Sequence, residues 1–218
     1  GTPLRTQRFT IRWAETLDRL DALGAETLMT EFGQLVEGAE TVHMVLANMS
    51  EALRWCREQV VDRMNRGMGE TEILHDIDFP AELFEKPWML PIYGDPTYIV
   101  RDLFREENGW WDRNPTTLHP SAQAEAANAV LSAIGDPSAV VARAEQLRDT
   151  GQVQLALHVI DLVALADGED LVVVQARELK AELCRLRAKE VTAFVSKSLY
   201  ESSARLLKEG GTSWTGIN

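Results

Sequence analysis

Residues 136–151 read DPSAVVARAEQLRDTG, and residues 152–168 follow with QVQLALHVIDLVALADG. This stretch decides the fold. Asp136 followed by Pro137 opens a helix, because the carboxylate caps free backbone N–H groups and proline suits the first helical position. Gly151 and Gly168 punctuate the stretch, since glycine adopts a left-handed turn at little cost. The spacing therefore predicts one helix over 136–150 and another ending near 167. Residues 153–166 form the most apolar stretch of the chain, but Gln154, His158 and Asp161 interrupt it. A membrane-spanning helix needs about 20 apolar residues in a row, so none is predicted.

Working outward, the rest of the second half also reads as helical. The expected helices cover 121–134 with Ser121 as cap, 171–187 and 190–208, with a tail over 209–218. Ala144, Leu147, Gly151, Leu155, Ala156, Leu157 and Ile160 fit a two-helix repeat of tetratricopeptide type. About one and a half units are visible, too few for a long solenoid, whose groove usually needs about three.

The first half is more varied. Residues 7–23 carry Phe9, Trp13, Leu17 and Leu20 at helical spacing, with Gly24 as the stop. Residues 25–31 read as one short strand running into a loop. Residues 38–67 hold the longest helical signal, with Val42, Val45, Leu46, Met49, Leu53, Cys56, Val60, Val61 and Met64 on one stripe. A short helix is expected at 70–74. Residues 79–96 are irregular, broken by Pro80, Pro87, Pro91, Gly94 and Pro96 and anchored by Phe84, Trp88 and Tyr93. Asp95-Pro96 opens a helix to about residue 108. A dense loop of aromatic, charged and turn residues then occupies 110–120.

The chain has 218 residues, 22 Lys and Arg against 34 Asp and Glu, and a net charge of −12. That balance disfavours a nucleic-acid partner, because a phosphate backbone repels an acidic surface. Cys56 and Cys184 are far apart and form no Cys-x-x-Cys; they read as free thiols of a reducing, cytoplasmic compartment. The start carries no apolar core of a signal peptide, and it carries no Met, which suggests a cut or processed chain.

Candidate chemistry is sparse. His43, His75, His119 and His158 show none of the spacings that put two imidazoles on one metal. His43 reads as a packed or capping histidine, His158 as a helix-packing residue and His75 as exposed; His119 follows the aromatic loop. There is no P-loop, nucleophile elbow or dinucleotide fingerprint. Glu106 and Glu107 point about 100° apart on a helix, so they read as a solvated pair. Trp110-Trp111-Asp112-Arg113-Asn114-Pro115 stands out. Two readings remain open for it. The indoles pin a loop to the core while Asp112 caps a turn, or Asp112 and Arg113 bracket a polar ligand.

Four blocks carry a family resemblance. They are Asn65-Arg66-Gly67-Met68, Pro91-Ile92-Tyr93-Gly94, the run Gly109-Trp110-Trp111-Asp112-Arg113-Asn114-Pro115-Thr116 with Leu118 and Pro120, and Ala142-Arg143-Ala144 through Gly151 to Ala156-Leu157. Residues 12–207 resemble the C-terminal portion of the alkyl sulfatases of the metallo-β-lactamase superfamily, and above all their α-helical dimerisation domain. The resemblance implies a mainly α fold with tetratricopeptide-like helix pairs, preceded by a short αβ remnant of a metallo-β-lactamase-type domain. It divides the chain into 1–37 as the tail of that domain, 38–208 as the dimerisation domain and 209–218 as a flexible tail.

In that family two zinc ions are held by an H-x-H-x-D-H motif and two acidic ligands upstream, and by a last histidine in the loop after the strand. The motif is absent here, and Phe32 stands where the last histidine falls; Glu31 is the one substitute carboxylate. The resemblance thus implies no cofactor in this chain and zinc in the complete parent. It implies a homodimer, a missing metallo-β-lactamase domain as partner, and Leu46, Leu53 and Val60 as interface candidates. Tyr93, Trp110, Trp111, Arg113 and Asn114 are the substrate-side loop candidates, with Arg113 suited to neutralise a sulfate. The chain is expected to be non-catalytic alone. The alternatives are part of an active zinc-dependent sulfate-ester hydrolase, and a tetratricopeptide-like peptide-binding module. A sterol-carrier-like third domain, usual in the family, is not visible.

Overall fold

The computed structural model describes residues 2–31 and 33–211. Phe32, the position read as replacing a histidine ligand, lies outside the described residues, as does most of the 209–218 tail. Among the described residues there are eleven helices and one two-stranded antiparallel sheet, so the fold is mainly α. No described helix is long and apolar enough to cross a membrane. The chain divides into two compact units, residues 1–118 and 119–218. The division falls inside the 38–208 span.

In the first unit, α1 (Thr10–Asp21) packs on α2 (Ala39–Asn65), and α2 also meets α5 (Pro96–Asn108). Strands β1 (Thr27–Leu28) and β2 (Val36–Glu37) pair between them. The expected strand over 25–31 is thus only two residues long, and its partner is too short to show a period. Thr10, Ala14 and Leu17 turn inward from α1. Ser50 and Arg54 on α2 both donate to the Asp18 carboxylate, Arg54 Nη2 at 2.6 Å. The Arg54 guanidinium, helped by the Ser50 hydroxyl, holds that carboxyl below the usual range.

Beyond α2 lie α3 (Glu70–Asp76), the single-turn α4 (Ala81–Phe84) and the single-turn α6 (Pro115–Leu118). Val60, Ile73, Val100, Leu103 and Phe104 form the core there. The irregular stretch is held by aromatics: Trp55, Phe79 and Phe84 meet tilted or edge-on, with ring centroids 4.9–5.9 Å apart. Trp88 Nε1 donates to Asn48 Oδ1 on α2 at 2.7 Å.

The second unit is a stack in which the last four helices pack each on the next. It comprises α7 (Gln123–Ser132), α8 (Pro137–Asp149), α9 (Val153–Ala164), α10 (Leu171–Glu190) and α11 (Phe194–Lys208). α8 packs on α9, α9 on α10, α10 on α11, and α7 leans on α9. Asp136 caps α8 as its sequence predicts, accepting from Ser138 N at 3.0 Å. Gly151 adopts φ 77° in the α8–α9 turn, a conformation that favours glycine. Ser121 is not a cap: α7 starts after Ala122, which offers no side-chain acceptor. The link before α11 is extended at Val191, so that helix begins at Phe194 rather than 190.

Candidate functional site

The dense loop is built almost wholly from its own hydrogen bonds. Gly109 ends α5 with φ 83° and donates its N–H to Arg105 O at 3.0 Å. Asp112 Oδ1 accepts from Asn114 N at 2.9 Å and from the Thr117 hydroxyl. Asn114 Oδ1 accepts from Thr116 N at 3.1 Å, which caps α6 just before Pro115. Asn114 O accepts from Trp111 Nε1 at 3.0 Å and from Thr117 N at 3.0 Å. Every residue type of the Gly-Trp-x-Asp-x-Asn-Pro-Thr run except Trp110 thereby has a structural task. The Thr117 hydroxyl and the Asn114 N–H together hold the Asp112 carboxyl below the usual carboxylate range.

Arg113 adopts φ 67°, the one positive φ outside glycine among the described residues. Its Nη1 donates to Gly67 O and its Nη2 to Asn108 Oδ1, each at 3.1 Å. The guanidinium read as a sulfate partner is therefore a strut. It ties the loop to the end of α2, which also joins two of the family-like blocks, 65–68 and 109–116.

The structure gathers a different set of side chains around an open groove of about 980 Å³ in the first unit. Trp110 and Trp111 line it, with Tyr98, Arg101 and Arg105 from α5 and Arg5 from the N-terminal arm. Trp110 is 65% exposed. Tyr93, Arg113 and Asn114 lie outside the lining. Arg101 is ion-paired with Glu70. Arg5 and Arg105 have no ion pair among the described residues. Arg101 and Arg105 sit one helical turn apart, a spacing visible in the sequence; Arg5 comes from an arm with no such signal. The groove presents indoles, three guanidinium groups and the carboxylates of Glu70, Glu72, Asp102 and Asp112, but no histidine, cysteine or serine. The carboxylates offset the guanidinium groups, so what distinguishes the groove is the exposed indole of Trp110.

The remaining candidates fall elsewhere. Glu31 is exposed, and among the described residues no group of three or more His, Cys, Asp or Glu is arranged to hold a metal ion. His43 is exposed and pairs through Nδ1 with Asp21 at 2.8 Å, and His158 is exposed, so neither packs a helix interior. Both cysteines are free and buried, and burial pushes the Cys56 thiol up to about 12.

Leu46, Leu53 and Val60 are 3%, 4% and 0% exposed within the first unit. Their stripe on α2 is covered by α1 and α5, so it is core and offers no surface to a partner. Helical periodicity marks a face that must be buried, without naming what buries it.

Comparison with known proteins gives a consistent picture. The family described as alkyl sulfatase dimerisation matches residues 69–210. A linear primary-alkylsulfatase of Pseudomonas sp. is 28% identical over 174 residues, 79% of this chain and 32% of that protein. An alkyl/aryl-sulfatase of Saccharomyces cerevisiae is 24% identical over 203 residues, 91% of this chain and 31% of that protein. The solved structure of the stereoselective inverting sec-alkylsulfatase Pisa1 from Pseudomonas sp. superposes with a TM-score of 0.83 at 23% identity. It covers 93% of this chain and 32% of that one, and shows the shared fold. The chain thus spans about a third of the length of these relatives.

Proposed function

Because the chain belongs to the alkyl sulfatase dimerisation family, we propose that it is the dimerisation part of an alkylsulfatase-type metallohydrolase. It pairs two copies and breaks no bond by itself. The observation that carries this reading is the family match over residues 69–210, which takes in most of the second unit and the first unit from residue 69 onward. Residues 1–37 are then the tail of a preceding metallo-β-lactamase-like domain, which supplies the zinc site. The described residues do not fit that metal: they bring no third donor beside any pair of His, Cys, Asp or Glu. The two buried free thiols support a reducing, cytoplasmic location.

The groove beside Trp110 favours a second reading, in which the chain also contributes to the parent's substrate side. There the indoles of Trp110 and Trp111 would cover the apolar part of a sulfate ester.

Sedimentation velocity on the purified chain tests the first reading, with metal content measured on the same sample. The expected result is a species near twice 24.4 kDa without stoichiometric zinc. A monomer at all accessible concentrations overturns the pairing. Bound zinc together with sulfate-ester hydrolysis overturns the non-catalytic assignment.

A further inference from the structure

Helix α9 is apolar on more sides than its own unit can cover. Its sequence, VQLALHVIDLVA, has nine apolar residues among twelve. Val153, Ala156, Leu157, Ile160, Val163 and Ala164 turn inward. Leu155 and Leu162 point the opposite way and are 51% and 45% exposed. They stand two helical turns apart, about 10.5 Å along the axis, on one stripe. A helix that is apolar nearly all round is normally buried all round.

The surroundings narrow what covers it. Two copies of a chain with net charge −12 repel each other, so a self-association surface belongs where charge is scarce. Residues 122–134 and 153–166, which hold the neighbouring helices α7 and α9, contain only Glu125 and Asp161 as charged residues. Asp161 is already neutralised by Lys180 at 2.7 Å. A second exposed apolar group, Phe9 with Trp13 and Leu20 of α1, lies outside the matched residues 69–210. It is also overlaid by charge: Arg8 sits over the Trp13 ring at 5.8 Å and Arg12 over the Phe9 ring at 5.6 Å.

Resting on the dimerisation reading above, we propose that the Leu155–Leu162 stripe of α9 is the surface on which a second copy of this chain docks. A two-fold axis passing near His158 runs the two α9 helices antiparallel. Leu155 of each copy then meets Leu162 of the other, as an isologous interface requires.

The test measures dimerisation of the full 218-residue chain by sedimentation velocity, with far-UV circular dichroism melts on every variant. Leu155→Glu and Leu162→Glu are each expected to raise the dissociation constant on the order of 100-fold, because each buries two uncompensated carboxylates per dimer. Both side chains are half exposed, so the melts should remain cooperative. Met29→Glu, at an exposed position of the first unit, should leave the dimer unchanged. Leu155→Lys combined with Leu162→Glu should restore pairing, since the antiparallel contact sets opposite charges against each other; a variant that merely misfolds is not rescued this way. If the wild type is a dimer and the single variants stay dimeric, the face is wrong while the dimerisation reading stands. If both singles dissociate but the double variant does not recover, the antiparallel pairing about His158 is overturned. A wild type that is monomeric throughout overturns both.

Discussion

The two units solve the same packing problem with different side chains. In the second unit, the buried cluster includes Ala144, Ala156, Ala164, Ala166, Ala176, Ala181 and Ala204. In the first, the corresponding clusters contain Ala14 alone, and space is filled by Val, Leu, Ile, Phe104 and the ring group of Trp55, Phe79 and Phe84. Alanine at helix contacts lets axes approach closely, which suits consecutive helices stacked face to face. Large side chains suit a unit whose α2 must be covered by short helices, loops and an irregular, proline-rich stretch. The first unit is therefore sensitive to losing volume and the second to gaining it.

Leu103→Ala should give the largest effect. Leu103 is fully buried between Val60, Ile73 and Phe104, and truncation there leaves a cavity that costs about 2–5 kcal/mol. The denaturation midpoint and the amide protection of α2 and α5 should both fall. A loss below about 1 kcal/mol, smaller than such truncations show, would mean that the site collapses around the gap and that the contrast fails. In the second unit the informative change runs the other way. Ala156→Leu forces three more carbons into the contact of α9 with its neighbours, at a cost of about 1–3 kcal/mol. Unchanged stability would show that the alanine contacts are looser than their burial suggests.

The contrast also explains what the sequence could and could not reveal. Helix starts with a chemical cap were legible to the residue: Asp95 accepts from Thr97 N at 2.9 Å, and Asp136 caps α8. The long α2 was legible because its stripe repeats turn after turn along the whole helix. The interface was not. Leu46, Leu53 and Val60 look the same in sequence whether they face α1 and α5 or another copy, and only the fold distinguishes the cases. The role of Arg113 was equally hidden, since its partner Gly67 O lies 46 residues away. Gly109, Asp112, Asn114 and Pro115 carry local turn chemistry and were readable; the assembly of Arg5 with Arg105 and Trp110 depends on the N-terminal arm meeting the end of α5.

The loop of the first unit differs from the alanine stack in one further respect: it rests on a charge. Asp112 accepts from Asn114 N and the Thr117 hydroxyl, and its folded pKa lies below the ordinary value. A depressed carboxyl contributes order that is fully present above its unfolded pKa, about 3.9, and lost as pH falls through the lower folded value. The Trp111 indole Nε1–H donates into the same loop, to Asn114 O, so its proton resonance reports on that order. It should hold its position from neutral pH down to about pH 4, where an ordinary carboxyl is half titrated, and move only in more acidic solution. Asp112→Asn keeps an oxygen acceptor but removes the titration, so its Trp111 signal should show no such step. Its melting temperature should differ from that of the wild type by less than Leu103→Ala or Ala156→Leu does, and the difference should vanish in acid. A wild-type step centred near pH 4 would mean that the Thr117 and Asn114 contacts do not favour the ionised form. The loop would then owe its order to contacts that do not depend on the Asp112 charge.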